Sequence, residues 1–265
     1  MEDIVESKIV VITGASGGIG AATALKLGTE GHALVLAARR RPELERIAGQ
    51  AAQRTLAVVT DATVRGDVER LREAALAEFG RVDVWINNAG RGISRRVLDL
   101  TDAEVDEIVA SNLKSVLYGM QAIVPHFQAR GEGHLINVSS FLGRVPFVPF
   151  RSIYSAAKSA VNILTANLRM DLRTEYPGIH VSLVLPGVVK TGFGANALGG
   201  TPAVPFRTGT QMRPQEPEEV AEVIAALIKE PKPEIYTNPG LAEIFRNYYQ
   251  DVGAFEDNLF NPARE

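Results

Sequence analysis

The chain has no cysteine among its 265 residues. That excludes disulfides, thiolate nucleophiles and thiolate metal ligands. The four histidines, His32, His126, His134 and His180, show neither an i, i+4 pair nor carboxylates at ligand spacing, so no metal site is expected. No stretch approaches the ~20 consecutive apolar residues of a membrane span. The acidic start MEDIVESK lacks the basic and apolar regions of a signal peptide. Net charge is −3 with both signs interspersed, which offers no basic face to nucleic acid or to a membrane surface. Internal repeats and low-complexity tracts are missing too. A soluble cytoplasmic protein is expected, with neither nucleic acid nor membrane as partner.

What is there points to one large α/β domain. The length fits a single domain, no break in composition marks a second, and 46% hydrophobic residues suffice for a sizeable core. Short apolar runs (KIVVIT, HALVLAA, TLAVVT, RVDVWINN, HLINVSS, IHVSLVLPG and PEIYT) alternate with helical patterns. That alternation predicts a doubly wound, Rossmann-like sheet of about seven mostly parallel strands, with helices on both faces. Proline and glycine thicken at residues 143–151 and 192–217, marking loops; the second is long enough to be a lid, taken as about 192–215. Ligands of an open parallel sheet bind beyond the carboxyl ends of its strands. Here those ends carry the glycine turn, Asp61-Ala62, Asn87-Asn88-Ala89-Gly90, Ser139-Ser140 and Pro186-Gly187, all small or hydrogen-bonding.

Two motifs carry chemistry. The first strand runs into Thr13-Gly14-Ala15-Ser16-Gly17-Gly18-Ile19-Gly20 and then a helix. Gly14 permits the tight turn, Gly18 lets backbone approach a pyrophosphate and Gly20 lets the helix pack closely, so the helix N-terminus faces an anion. The glycines fall as GxxxGxG rather than GxGxxG. The second motif is Tyr154-Ser155-Ala156-Ala157-Lys158, which sets a phenol and an ammonium one helical turn apart. A nearby cation favours the phenolate, so the phenol can exchange a proton with an alcohol or carbonyl oxygen.

Together with Asp61, NNAG at 87–90, Asn112 in NLKSVLYG, NVSS at 137–140, and PG at 186–187 followed by Thr191, these motifs resemble the short-chain dehydrogenase/reductase family from about residue 8 to about residue 237. The resemblance implies an NAD(P)-dependent oxidoreductase of carbonyls and alcohols with Asn112, Ser140, Tyr154 and Lys158 as its catalytic residues. Tyr154 exchanges the proton and Lys158 holds the nicotinamide ribose and lowers the tyrosine pKa. Ser140 bonds the substrate oxygen, and Asn112 sits at a helix interruption and supports a water in a proton relay. The implied cofactor contacts are Gly14, Ser16, Gly18, Ile19, Gly20, Arg39, Arg40, Asp61, Ala62, Asn88, Ala89, Gly90, Tyr154, Lys158, Pro186, Gly187, Val189 and Thr191.

The family commonly sets its serine thirteen residues before the tyrosine; here that position is Phe141, so Ser140, at fourteen, takes the role, with Ser139 as the alternative. Strand alternation sends those two side chains to opposite faces. The second strand ends in Ala37-Ala38-Arg39-Arg40-Arg41 where an NAD-selective carboxylate would stand. Three cations ahead of Pro42 sit badly with the positive end of the next helix unless an anion joins them. A 2′-phosphate does so, hence NADP(H) is preferred, with Arg39 first and Arg40 second, and NAD(H) remains possible. Asp61 is expected to accept from the adenine amino group, or else to cap its strand end.

Val145, Phe147, Val148, Phe150, Phe193, Leu198, Val204, Phe206 and Met212 offer an apolar lining for a hydrophobic carbonyl or secondary alcohol, or else pack the lid onto the body. Arg91, Arg95, Arg96, Arg144 and Arg151 are read as solvated, or as facing an acidic group. The resemblance also implies a homodimer or homotetramer through residues 101–130 and 153–176. Leu113, Val116, Leu117, Val161, Leu164 and Leu168 serve such an interface or the sheet packing. The extension at about 238–265 matches no motif; its aromatic part is expected to dock on the body or a neighbour and its last residues to fray. A non-catalytic NAD(P)-binding sensor on the same fold is the competing reading.

Overall fold

Most of the apolar runs become strands buried on both faces, as parallel strands covered by helices are, while the runs at 55–59 and 234–236 are covered only in part. A computed structural model describes residues 7–200 and 213–260. Its strands are β1 (Ile9–Thr13), β2 (Ala33–Ala38), β3 (Thr55–Val59), β4 (Val84–Asn87), β5 (Gly133–Val138), β6 (Ile179–Leu185) and β7 (Glu234–Tyr236). They form a 7-stranded sheet in the order β3-β2-β1-β4-β5-β6-β7, parallel at every pairing. The helices are α1 (Gly18–Thr29), α2 (Arg41–Ala51), α3 (Arg65–Phe79), α4 (Asp102–Val109), α5 (Ser115–Arg130), α6 (Ser152–Leu172), α7 (Pro217–Lys229), α8 (Leu241–Gln250) and α9 (Val252–Phe260). No helix among the described residues is long and apolar enough to cross a membrane.

The two-residue period of the strands sorts the core into layers. Val10, Ile12, Leu34, Leu36 and Ile86 face α1, α2 and α7, whereas Val11, Val35, Trp85, Leu135 and Leu183 face α3, α5 and α6. Each fully buried side chain of this size contributes roughly 1.5–3 kcal/mol of transfer free energy. A third cluster lies above the strand ends, where Phe141, Val145, Phe147 and Tyr154 pack with Leu241, Ile244 and Phe245 of α8. The C-terminal extension therefore docks on the body, as its aromatics suggested. Residues 261–265, where fraying is expected, lie outside the described residues.

Strand order reverses at β1, since β2 and β3 lie on one side of it and β4 to β7 on the other. A crevice opens at such a switch point, above the carboxyl ends of β1 and β4. The glycine turn follows β1, and Asn88-Ala89-Gly90 follows β4.

Candidate active site

The glycine turn is built by close approach. Gly14 has φ +70°, and a Cβ there would stand 2.9 Å from the Ala89 Cα. At Gly20 an added Cβ would come within 2.5 Å of the Gly14 carbonyl oxygen and of Asn88 Nδ2, so α1 packs on the turn itself. Asn88 fastens this corner by donating from Nδ2 to the Thr13 and Gly14 carbonyls at 3.0 and 3.3 Å. Its side chain is thus engaged within the protein. Thr13 Oγ1 accepts from the Asn88 and Ala89 amides at 3.0 and 3.1 Å. α1 begins from Gly17 with no side-chain cap, leaving its first amides directed at the crevice beside Ser16 and Ile19. Gly18 has φ +55°, and the space its Cβ would take borders Thr191 Cγ2 at 3.2 Å. An uncapped N-terminus walled by glycines fits a pyrophosphate.

Across the crevice stands α6. Tyr154 is 6% exposed and Lys158 3% exposed. Ser140 lies close enough to Tyr154 for its hydroxyl to favour the phenolate, and its Oγ accepts from the Leu142 amide at 3.2 Å. Ser139 turns the other way and donates to Asn162 Oδ1 at 2.6 Å. Ser140 leads into a 3₁₀ turn at Phe141–Gly143, whose Phe141 packs against Phe147 with ring centroids 5.8 Å apart.

The electrostatics differ from the sequence expectation that Lys158 acidifies the phenol. Burial pushes Tyr154 up to about 12, and the groups that pull it back are the Ser140 hydroxyl and the Arg151 charge. Burial likewise pulls Lys158 down to about 8. Its Nζ donates to the Val138 carbonyl at 3.0 Å and lies 5.8 Å from the centre of the Tyr154 ring. Desolvation penalises both charged forms, and a neighbour at that separation does not reverse it.

Asn112 lies where α4 widens into a π-helical turn, Ala110–Lys114, and is fully buried. It donates from Nδ2 to the Arg91 carbonyl at 2.8 Å and accepts the Arg91 amide on Oδ1 at 3.2 Å. A Cβ on Gly90 would lie 2.8 Å from that Oδ1 and 3.7 Å from Lys158 Nζ, so Gly90, Asn112 and Lys158 border one space.

At the end of β2 the arginine order reverses. Arg40 Nη2 donates to Ser16 Oγ at 3.2 Å while Nη1 reaches Glu43 at 3.2 Å, so Arg40 rather than Arg39 leans on the glycine turn. Arg39 is exposed. Asp61 Oδ1 accepts from the Thr63 amide and hydroxyl at 2.9 and 2.7 Å, the contacts of a strand-end cap, with Ala62 inside that turn. Pro186 accepts the Phe141 amide at 3.1 Å, and Gly187 follows it. Val189 bridges Gln215, and Thr191 Oγ1 accepts from the Phe193 amide at 3.2 Å.

Of the expected apolar lining, Phe193 meets Tyr154 with ring centroids 5.3 Å apart. Leu198 bridges Ile93. Val145 and Phe147 are buried in the cluster beneath α8, against which Phe193 and Leu198 also pack. Val204, Phe206 and Met212 lie outside the described residues. The sequence reading also missed Asn162, which sits one turn beyond Lys158 and ties Ser139 and the Gly143 carbonyl (3.0 Å) to α6. Its i, i+4 spacing from Lys158 was the available signal.

A family model described as short chain dehydrogenase matches residues 8–199. An uncharacterized oxidoreductase of Staphylococcus aureus is 34% identical over 230 residues, covering 86% of this chain and 94% of its own. Among solved structures, a short chain dehydrogenase/reductase from Burkholderia phymatum in complex with NAD superposes with a TM-score of 0.84 at 28% identity, covering 94% of this chain and 95% of that one. An alcohol dehydrogenase from the archaeon Thermococcus sibiricus, complexed with 5-hydroxy-NADP, gives 0.76 at 29% identity over 88% of this chain and 97% of that one.

Proposed function

Because this chain belongs to the short-chain dehydrogenase family and is an oxidoreductase of CH–OH groups that uses a nicotinamide cofactor, we propose that it interconverts a hydrophobic ketone or aldehyde and its alcohol with NADP(H), Tyr154 exchanging the proton. The bound nicotinamide supplies or accepts the hydride at C4. The chain's own residues do the rest. Tyr154 as the phenol donates its proton to the carbonyl oxygen in reduction, becoming the phenolate, and as the phenolate takes the proton of the alcohol in oxidation. Ser140 holds that oxygen beside the phenol, where a fixed hydroxyl stabilises developing negative charge. Lys158 holds the nicotinamide ribose, and Asn112 fixes the turn beside it for the relay that restores the proton.

The cofactor is held by Gly14, Ser16, Gly18, Ile19 and Gly20, with Asp61, Ala62, Ala89, Gly90, Pro186, Gly187, Val189 and Thr191 along its length. Arg40, with Arg39 behind it, supports the preference for NADP(H), because an exposed guanidinium beside Ser16 suits a 2′-phosphate. Residues 1–265 form one domain in this reading, with 192–215 as the lid and 238–265 as the extension. It assembles as a homo-oligomer through α5 and α6, where Ile163 and Met170 are exposed while Val116 and Val161 face the sheet.

The observation that carries the reading is the burial of Tyr154 and Lys158 on one face of α6, with Gly90 and Asn112 bordering the Lys158 ammonium. Turnover of a carbonyl panel, followed by loss of reduced-nicotinamide absorbance, tests it. Tyr154→Phe should lower kcat by roughly 10³-fold, the scale of a lost general acid, while still binding NADPH. A Phe variant with full kcat overturns the role. Titrating the same protein with NADPH against NADH tests the arginine arm; tighter NADH binding refutes it.

A further inference from the structure

The arginines around the crevice fall into two kinds. Arg91, Arg95 and Arg144 pair with Glu107, Glu104 and Glu234, and Arg96 is exposed. Arg151 is different: half-buried, it has no carboxylate within ion-pair distance among the described residues, and its polar contact is Nη1 donating to the Ile93 carbonyl at 2.9 Å. Its Cζ lies 5.8 Å from the ring centre of Phe193, the same ring that meets Tyr154 at 5.3 Å. The opposite wall is Gly92, where a Cβ would crowd Nη1 at 2.9 Å. Arg151 is also the N-cap of α6, whose first turn holds no acidic residue. A cation there opposes the positive end of the helix dipole.

Burying part of a charge without a partner costs free energy, and a second unfavourable field adds to it. A guanidinium stays charged even so, and its planar donors match a carboxylate. Arg151 stands three residues before Tyr154 on the same helical side, so an anion bound to it lies close to the phenol.

We infer that Arg151 recognises a carboxylate on the substrate, which makes the physiological substrate an oxo acid or the matching hydroxy acid, with the reacting carbon a few bonds from the acid group. This rests on Tyr154 as the proton donor, and narrows the hydrophobic carbonyl to one bearing an anion at one end.

The test compares a 3-oxo acid with its methyl ester, using NADPH and wild type, Arg151→Gln and Arg151→Lys proteins. Wild type should favour the acid in kcat/KM by about 100-fold, the scale of a charge-assisted pair. In Arg151→Gln that ratio should fall toward one, chiefly through KM, and Arg151→Lys should restore part of it. The Gln variant should melt close to wild type, since the cation it removes has no carboxylate partner among the described residues, only the Ile93 carbonyl and the Phe150 and Phe193 rings. Equal use of acid and ester by wild type, or a lowered melting temperature with parallel loss on both substrates, overturns the inference while leaving the role of Tyr154 standing. Failure of both compounds to turn over would sink both readings.

Discussion

Lys158 carries an ammonium into a place where, among the described residues, no carboxylate answers it. Its Nζ has the Val138 carbonyl at 3.0 Å, and burial lowers its pKa to about 8. The sign of the stability effect follows. Below about pH 8 both folded and unfolded chains hold the proton, so the full penalty of burying the charge is present. Between about pH 8 and the ordinary lysine value near 10.4 the folded state releases its proton first, and stability rises with pH. Lys158→Met should therefore stabilise the unliganded protein by about 1–2 kcal/mol near pH 7, less than the shift alone implies because the Val138 carbonyl loses its donor. The gain should shrink near pH 10, and turnover should vanish at both. Urea melts at the two pH values, set beside activity, check this; a variant less stable at neutral pH contradicts it.

α6 shows how an element can be legible and yet misread. Its buried stripe, Tyr154, Ala157, Lys158, Val161, Asn162 and Thr165, follows the helical period the sequence predicted. Half of that stripe is polar, because the helix is seated on the sheet by hydrogen bonds. Asn137 donates from Nδ2 to Thr165 Oγ1 at 3.0 Å and accepts on Oδ1 from Asn87 Nδ2 at 2.9 Å. Spacing alone could not tell which of Ser139 and Ser140 would face Tyr154, since that depends on Asn162 claiming Ser139. The tail offered no motif, because α8 acquires its meaning only from the aromatic cluster it covers. Phe245 is 7% exposed and meets Tyr236 with ring centroids 5.1 Å apart, in the same cluster as Tyr154 and Phe147. Phe245→Ala should cost about 2–4 kcal/mol and lower kcat as the roof over Tyr154 loosens. A denaturation midpoint and a kcat that both stay at wild-type values would detach the tail from the site.

Across the whole molecule the two ends of the sheet do different work, and the sequence revealed one better than the other. The carboxyl ends were readable because apolar runs mark the strands and the residues leaving them are chemically distinctive. The amino ends carry no motif; their order comes from charges that meet only after folding. Asp83, just before β4, accepts the Ile9 amide at 2.8 Å and the side chains of Arg130 and Arg81 at 2.9 and 3.0 Å. Its own amide donates to the Ile9 carbonyl and its carbonyl accepts from His134, both at 2.9 Å, so it joins β1, β4 and β5. Burial alone would raise its pKa, but the Ile9 amide and the two arginines together hold it below the ordinary value. An acid depressed on folding contributes stability that is complete above the unfolded pKa of about 3.9 and is lost as pH falls through the folded value. Acid unfolding should therefore steepen below about pH 4 in the wild type. Asp83→Asn should cost about 2–3 kcal/mol at neutral pH, since two charge-assisted bonds go and a donor replaces an acceptor. The variant's stability should also vary less with pH across that acid range. Parallel urea melts of both proteins through the range decide it, for equal slopes would show that Asp83 is not the group whose protonation loosens the sheet.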